Sequence, residues 1–180
     1  MVKLEWTPPM PQAKSKLKGT APFILALLAA GLFMPQIDEA HAQTIRPFAG
    51  LSGKWSGDGS IMLSNGSTER LRCDATYVES GGGDNLDQTL RCASDSYNFD
   101  LQISLVDNAG SILGNWSELS RSVQGGISGH DSKGLIQVTA RGPNFTAAVT
   151  VATRGSEQSV KIRAQSGDLS QVTITLHHVR

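Results

Sequence analysis

The chain has 180 residues, of which 16 are Lys or Arg and 16 Asp or Glu. That length suits one domain with one core. A formal net charge of +0 with no long charge run gives no electrostatic footprint for nucleic acid and no polybasic patch for an anionic membrane.

Residues 1–42 are expected to be a cleaved signal peptide. Lys14, Lys16 and Lys18 make a basic n-region, residues 21–33 an apolar run, and Pro35 breaks the helix before Ala40-His41-Ala42. That tripeptide has the small-x-small pattern read by signal peptidase. The apolar run is too short for a membrane span, which takes ~20 residues, and no cysteine follows it to carry a lipid anchor. A periplasmic or secreted location follows, with no membrane anchor after cleavage. Residues 43–50, with Pro47 and no periodic pattern, read as an N-terminal arm, and residues 51–180 as a single β-barrel domain.

From there on, a period-2 alternation interrupted by regular turn signals predicts strands at 53–63, 67–79, 84–95, 97–106, 111–121, 123–129, 135–141, 144–153, 157–164 and 170–179. The first carries Gly53-Lys54-Trp55 and leads to Asn65-Gly66, a two-residue hairpin signal. The second places Leu71, Cys73, Ala75 and Tyr77 opposite Arg70, Arg72, Asp74 and Thr76. Gly81-Gly82-Gly83-Asp84 then turns the chain. A hairpin centred there pairs Cys73 with Cys92, Ala75 with Leu90 and Glu79 with Leu86. Opposed antiparallel residues lie within disulfide range, and export supplies an oxidising compartment. A structural Cys73–Cys92 bridge is expected, worth ~3 kcal/mol on the loop-entropy account.

Further on, Tyr97, Phe99, Leu101, Ile103 and Leu105 share one face of the fourth strand. The fifth holds Gly114-Asn115-Trp116-Ser117, an echo of Gly53–Ser56, and Glu118 two residues past the Trp. Phe145, Ala147, Val149 and Val151 share a face later, as do Val172, Ile174 and Leu176 near the end.

Eight to ten sequential antiparallel strands with one apolar face are best satisfied by closing the sheet, which removes its edges. The predicted fold is all-β, an antiparallel up-and-down barrel; the alternative is a two-sheet β-sandwich. At this strand number the interior is filled by side chains or holds one small ligand.

Gly53-Lys54-Trp55 resembles the Gly-x-Trp of lipocalin-like (calycin) barrels. The resemblance implies that Trp55 packs across one end of the barrel and closes it, with a basic residue from near the last strand against it. Arg163 and Arg180 are the candidates, and the lipocalins' Thr-Asp-Tyr motif is absent. The mature region as a whole resembles an uncharacterised family of small secreted proteins of Gram-negative bacteria. Gly53–Gly59, Leu71–Tyr77, Leu90–Tyr97 and Gly114–Glu118 carry that likeness. It implies a secreted, disulfide-linked β protein and transfers no catalytic residue.

Chemistry-bearing constellations are scarce. His130-Asp131 is the one His–carboxylate neighbour pair, placed in a Gly-rich turn, and sequence neighbours rarely build a base and its orienter. His177 and His178 point to opposite faces of a strand, so they cannot share a metal from one side. Glu69, Glu79 and Glu118 form no dyad for acid–base work. No metal site and no cofactor are expected, and the chain is not expected to be an enzyme. The leading expectation is a binding protein for a small hydrophobic or amphipathic ligand. Contacts would come from Trp55, Tyr77, Leu90, Tyr97, Phe99, Leu101, Ile103, Trp116, Glu118 and Phe145. The alternative is a protein–protein module, such as a secreted protease inhibitor, that engages its partner through residues 43–50.

Overall fold

The computed structural model describes residues 46–165 and 167–180. The expected signal peptide and residues 43–45 of the arm lie outside the described residues. Ten strands succeed one another: β1 (Gly53–Leu63), β2 (Thr68–Ser80), β3 (Asn85–Ala93), β4 (Asn98–Asn108), β5 (Ser111–Glu118), β6 (Val123–Ser132), β7 (Leu135–Gly142), β8 (Phe145–Arg154), β9 (Glu157–Ala164) and β10 (Leu169–His178). No helix occurs among the described residues. Each strand pairs antiparallel with its neighbours in sequence. β10 then returns to β1, from Trp55↔His178 to Leu63↔Leu169, and closes the barrel. The sheet therefore has no free edge, and the two-sheet sandwich is excluded.

Alternation decides which side chains enter the lumen. Along β2, Leu71, Cys73, Ala75 and Tyr77 are buried while Arg70, Arg72, Asp74 and Thr76 face solvent. The β2–β3 hairpin has the register that its glycine turn dictates, with Cys73↔Cys92, Ala75↔Leu90 and Glu79↔Leu86. Cys73 and Cys92 form a disulfide, their Cα atoms 4.1 Å apart.

Two turns depart from expectation. Leu63 N–H donates to the Ser67 carbonyl at 2.9 Å, so the Asn65-Gly66 hairpin has a three-residue loop rather than a two-residue one. Asn65 earns its place through its side-chain oxygen, which accepts from the Ser67 N–H and hydroxyl. Between β6 and β7 the turn is Lys133-Gly134, with φ of 54° and 80°, the pair of left-handed residues that a tight hairpin needs. β6 consequently runs through His130 and Asp131, which are strand residues and not turn residues.

One end of the barrel is sealed by the arm. Phe48 is fully buried, and Leu51 and Trp55 nearly so. Arg46 donates to the carbonyls of Gly81 and Gly82 at 3.3 and 2.7 Å. Phe48 N–H reaches the Gly83 carbonyl, Leu51 N–H the Glu79 carboxylate at 3.2 Å, and Trp55 Nε1 the Leu51 carbonyl at 2.8 Å. The basic partner of Trp55 is neither Arg163 nor Arg180, both exposed. His178 stands edge-on to the indole at 5.1 Å, because closure of β1 on β10 makes it the direct cross-strand neighbour of Trp55.

Candidate functional site: an apolar cavity in the barrel

With the floor at the start of β1 and the end of β10, the turns at 64–67, 94–97, 119–122 and 143–144, with residues 165, 167 and 168, all gather at the opposite end. A cavity of about 500 Å³ runs down the barrel towards them, and Arg121, Asn144, Gly167 and Asp168 from those turns border it. A volume of this order is in the ~300–1,000 Å³ range of small-molecule sites. The wall is predominantly aliphatic and aromatic.

The expected contact residues converge on this cavity with one exception. Tyr97, Phe99, Leu101 and Ile103 line it from β4 and the turn before it, Leu90 from β3, and Tyr77 from β2. Trp116 and Glu118 on β5 and Phe145 on β8 complete the set. Trp55 does not line it: the indole is 1% exposed and is spent on the floor, between Leu51, Tyr77 and His178.

Trp116 lies across β6. Its Nε1 donates to the Arg141 carbonyl on β7 at 3.2 Å, and its ring meets Phe145 edge to face at 5.8 Å. The intervening residue is Gly125, where a Cβ would fall 1.8 Å from that same carbonyl and 2.8 Å from the indole nitrogen. Only a residue without a Cβ leaves this passage open.

Glu118 borders the cavity, but its oxygens are already committed. They accept from Asp100 N–H at 3.1 Å, Ser120 Oγ at 2.8 Å and Arg121 N–H at 2.7 Å, and pair with the Arg121 guanidinium at 3.4 Å. Burial alone would raise its pKa; these hydrogen bonds and the guanidinium outweigh it, and the net shift is downward. Glu118 thus orders the β5–β6 turn and holds Arg121, whose guanidinium lies 5.4 Å over the Phe99 ring at the rim.

The deep end carries a neutral polar group that the expected site lacked. Gln158 of β9 is 2% exposed. Its Nε2 donates to Thr153 Oγ1 at 3.1 Å, and its Oε1 accepts from the Tyr77 hydroxyl. Gln88 Nε2 in turn donates to the Tyr77 oxygen at 3.0 Å. Burial pushes the Tyr77 phenol well above its ordinary pKa, so it stays protonated. Gln88 shares inward parity with Leu86 and Leu90, and Gln158 with Val160 and Ile162. That alternation was the signal that could have found them.

His130 and Asp131 lie away from the cavity. His130 is exposed and Asp131 half-buried on consecutive positions of β6, so they face opposite sides and cannot act as a base and its orienter. Asp131 Oδ1 is buried without a partner among the described residues. Desolvation, with Asp107 nearby, raises its pKa against the Gly134 N–H and His130. No group of three or more His, Cys, Asp or Glu suited to a metal ion occurs among the described residues.

Fold and cavity together define a closed ten-stranded antiparallel barrel with room for a small molecule. Comparison with solved structures finds this barrel among them. Rv2717c from M. tuberculosis matches with a TM-score of 0.55 at 15% identity, over 74% of this chain and 94% of that one. The S-type phycobiliprotein lyase CPES from Guillardia theta matches at 0.48 and 13% identity, over 72% and 87%. At 15% identity the likeness to Rv2717c is one of fold. No protein-family model matches the chain and no curated protein matches it.

Proposed function

We propose that the protein is a non-enzymatic binding protein, periplasmic or secreted, for a small hydrophobic or amphipathic ligand. The observation that carries this reading is the apolar cavity of about 500 Å³ bordered at one end by the turns. Cavities that serve only as packing defects are far smaller. The commitment of Glu118 to the turn, with no histidine among the described residues that line the cavity, supports the non-enzymatic part. The apolar run before Ala40-His41-Ala42 and the Cys73–Cys92 bridge support export. The alternative, an inhibitor-like arm, gains nothing from Arg46–Gly50: Phe48 is buried and Arg46 tied to the β2–β3 turn.

Native mass spectrometry of the purified protein against lipids, isoprenoids and haem tests the proposal. A stoichiometric complex with at least one class is expected, and its loss on Ala147→Trp, which fills the lumen from β8, would locate it. Protein that remains empty across all classes rejects the reading.

A further inference from the structure

The cavity is apolar along most of its length and polar at its deep end, and the polarity there has a direction. Gln158 turns its amide nitrogen to Thr153 and its oxygen to Tyr77. The phenol hydrogen is used in that bond, so the Tyr77 oxygen is left as an acceptor, which Gln88 Nε2 fills. The chain Gln88→Tyr77→Gln158→Thr153 is consistent from end to end, and its free terminus is the Gln88 carbonyl oxygen. That oxygen has no hydrogen-bond partner among the described residues, on a half-buried side chain that lines the cavity. Phe48, Leu51 and Leu86 line the cavity with it, and Asp131 Oδ1 is the one buried unpartnered side-chain atom among the described residues, so the Gln88 oxygen stays within reach of a ligand.

We infer that the ligand carries a neutral hydrogen-bond donor, a hydroxyl in the simplest case, on the end that enters first, and seats it on Gln88 Oε1. This inference rests on the binding-protein reading and narrows its ligand to apolar alcohols. A carboxylate leading end fits poorly. It has no proton to give and would bring a charge into an apolar enclosure; among the described residues Arg121 is the one basic residue bordering the cavity, and it is at the opposite rim.

The test compares 1-dodecanol, its methyl ether and dodecanoate as competitors of a fluorescent probe, 1-aminoanthracene, bound to the intact barrel. In the wild type the alcohol should bind about five- to tenfold more tightly than the ether, the worth of one hydrogen bond, and the carboxylate more weakly than the alcohol. Gln88→Met, which keeps the side-chain length, should bring alcohol and ether to within about twofold by the same reasoning. Tyr77→Phe keeps Gln88 but releases its amide to turn over. It should shrink the preference too, an effect that a purely steric floor would not produce. Equal binding of alcohol and ether in the wild type, or a preference that survives both variants, overturns the inference while leaving the binding function standing. Failure of all three ligands and of the probe to bind overturns both.

Discussion

The barrel is built from two arcs of unlike quality. In the arc β10-β1-β2-β3 most inward apolar side chains are buried: Leu71 and Leu176 are fully buried, and Ile61, Cys73 and Ile174 are at most 3% exposed. The disulfide and the arm's floor belong to the same arc. In the arc from β4 to β9 the inward Phe99, Leu101, Val149, Val151, Val160 and Ile162 are only partly buried, although side chains of both arcs line the cavity. Both arcs obey the same period-2 pattern, so patterning makes the barrel, while the closeness of side-chain packing differs between them. The more closely packed arc supplies more of the stability, and the partly buried side chains of the other leave room.

Substitutions can set the arcs against each other. Leu71→Ala should cost about 3–4 kcal/mol in urea unfolding, as for fully enclosed leucines. Leu101→Ala, which only enlarges an existing void, should cost about 1 kcal/mol and weaken ligand binding instead. Comparable losses would erase the distinction between the arcs. Replacing Cys73 and Cys92 together by Ala should cost ~3 kcal/mol, seen as a lower Tm with the barrel's circular dichroism retained.

Glu118→Gln should cost about 1–2 kcal/mol, since a neutral amide replaces a carboxylate that takes several charge-assisted hydrogen bonds. Its folded pKa is lowered, so its contribution is fully present above the unfolded value and is lost as pH falls through the folded one. The urea midpoint of the wild type should therefore drop in acid more than that of the variant. The smallest effect is opposite in sign. Asp131 has a raised folded pKa and an unpartnered oxygen, so its ionised form opposes folding at neutral pH, a burden relieved as pH falls. Asp131→Asn should stabilise by less than ~1 kcal/mol, discounted because the group is partly solvated, and the gain should vanish in acid.

Strand order and closure were legible because alternation, glycine turns and the cysteine register all describe local geometry. The β2–β3 pairing followed from Gly81–Asp84 alone. Residues placed by closure were not legible in the same way. His178 meets Trp55 only because β10 returns to β1, and Trp55 leaves the cavity only because Leu51 and Phe48 fold beneath it. Gln158 and Tyr77 are 81 positions apart, and parity shows only that each points inward. Glu118 pointed inward as expected, but the turn that consumes its oxygens is a matter of backbone geometry that side-chain periodicity does not encode.

The seam between β1 and β10 has a kinetic consequence. Every other strand pairing joins neighbours across a short turn and can zip up locally. The seam alone brings together positions as distant as Trp55 and His178, and the Cys73–Cys92 staple lies beside it without crossing it. Folding should therefore proceed through an unclosed, curling sheet whose two outer strands search for each other, with much of the loop-closure entropy concentrated in that last pairing. Opening of the same seam is the natural first step of unfolding. The lifetime of the native barrel is then set where its first and last strands meet, and stapling that one junction would lengthen it more than strengthening any hairpin.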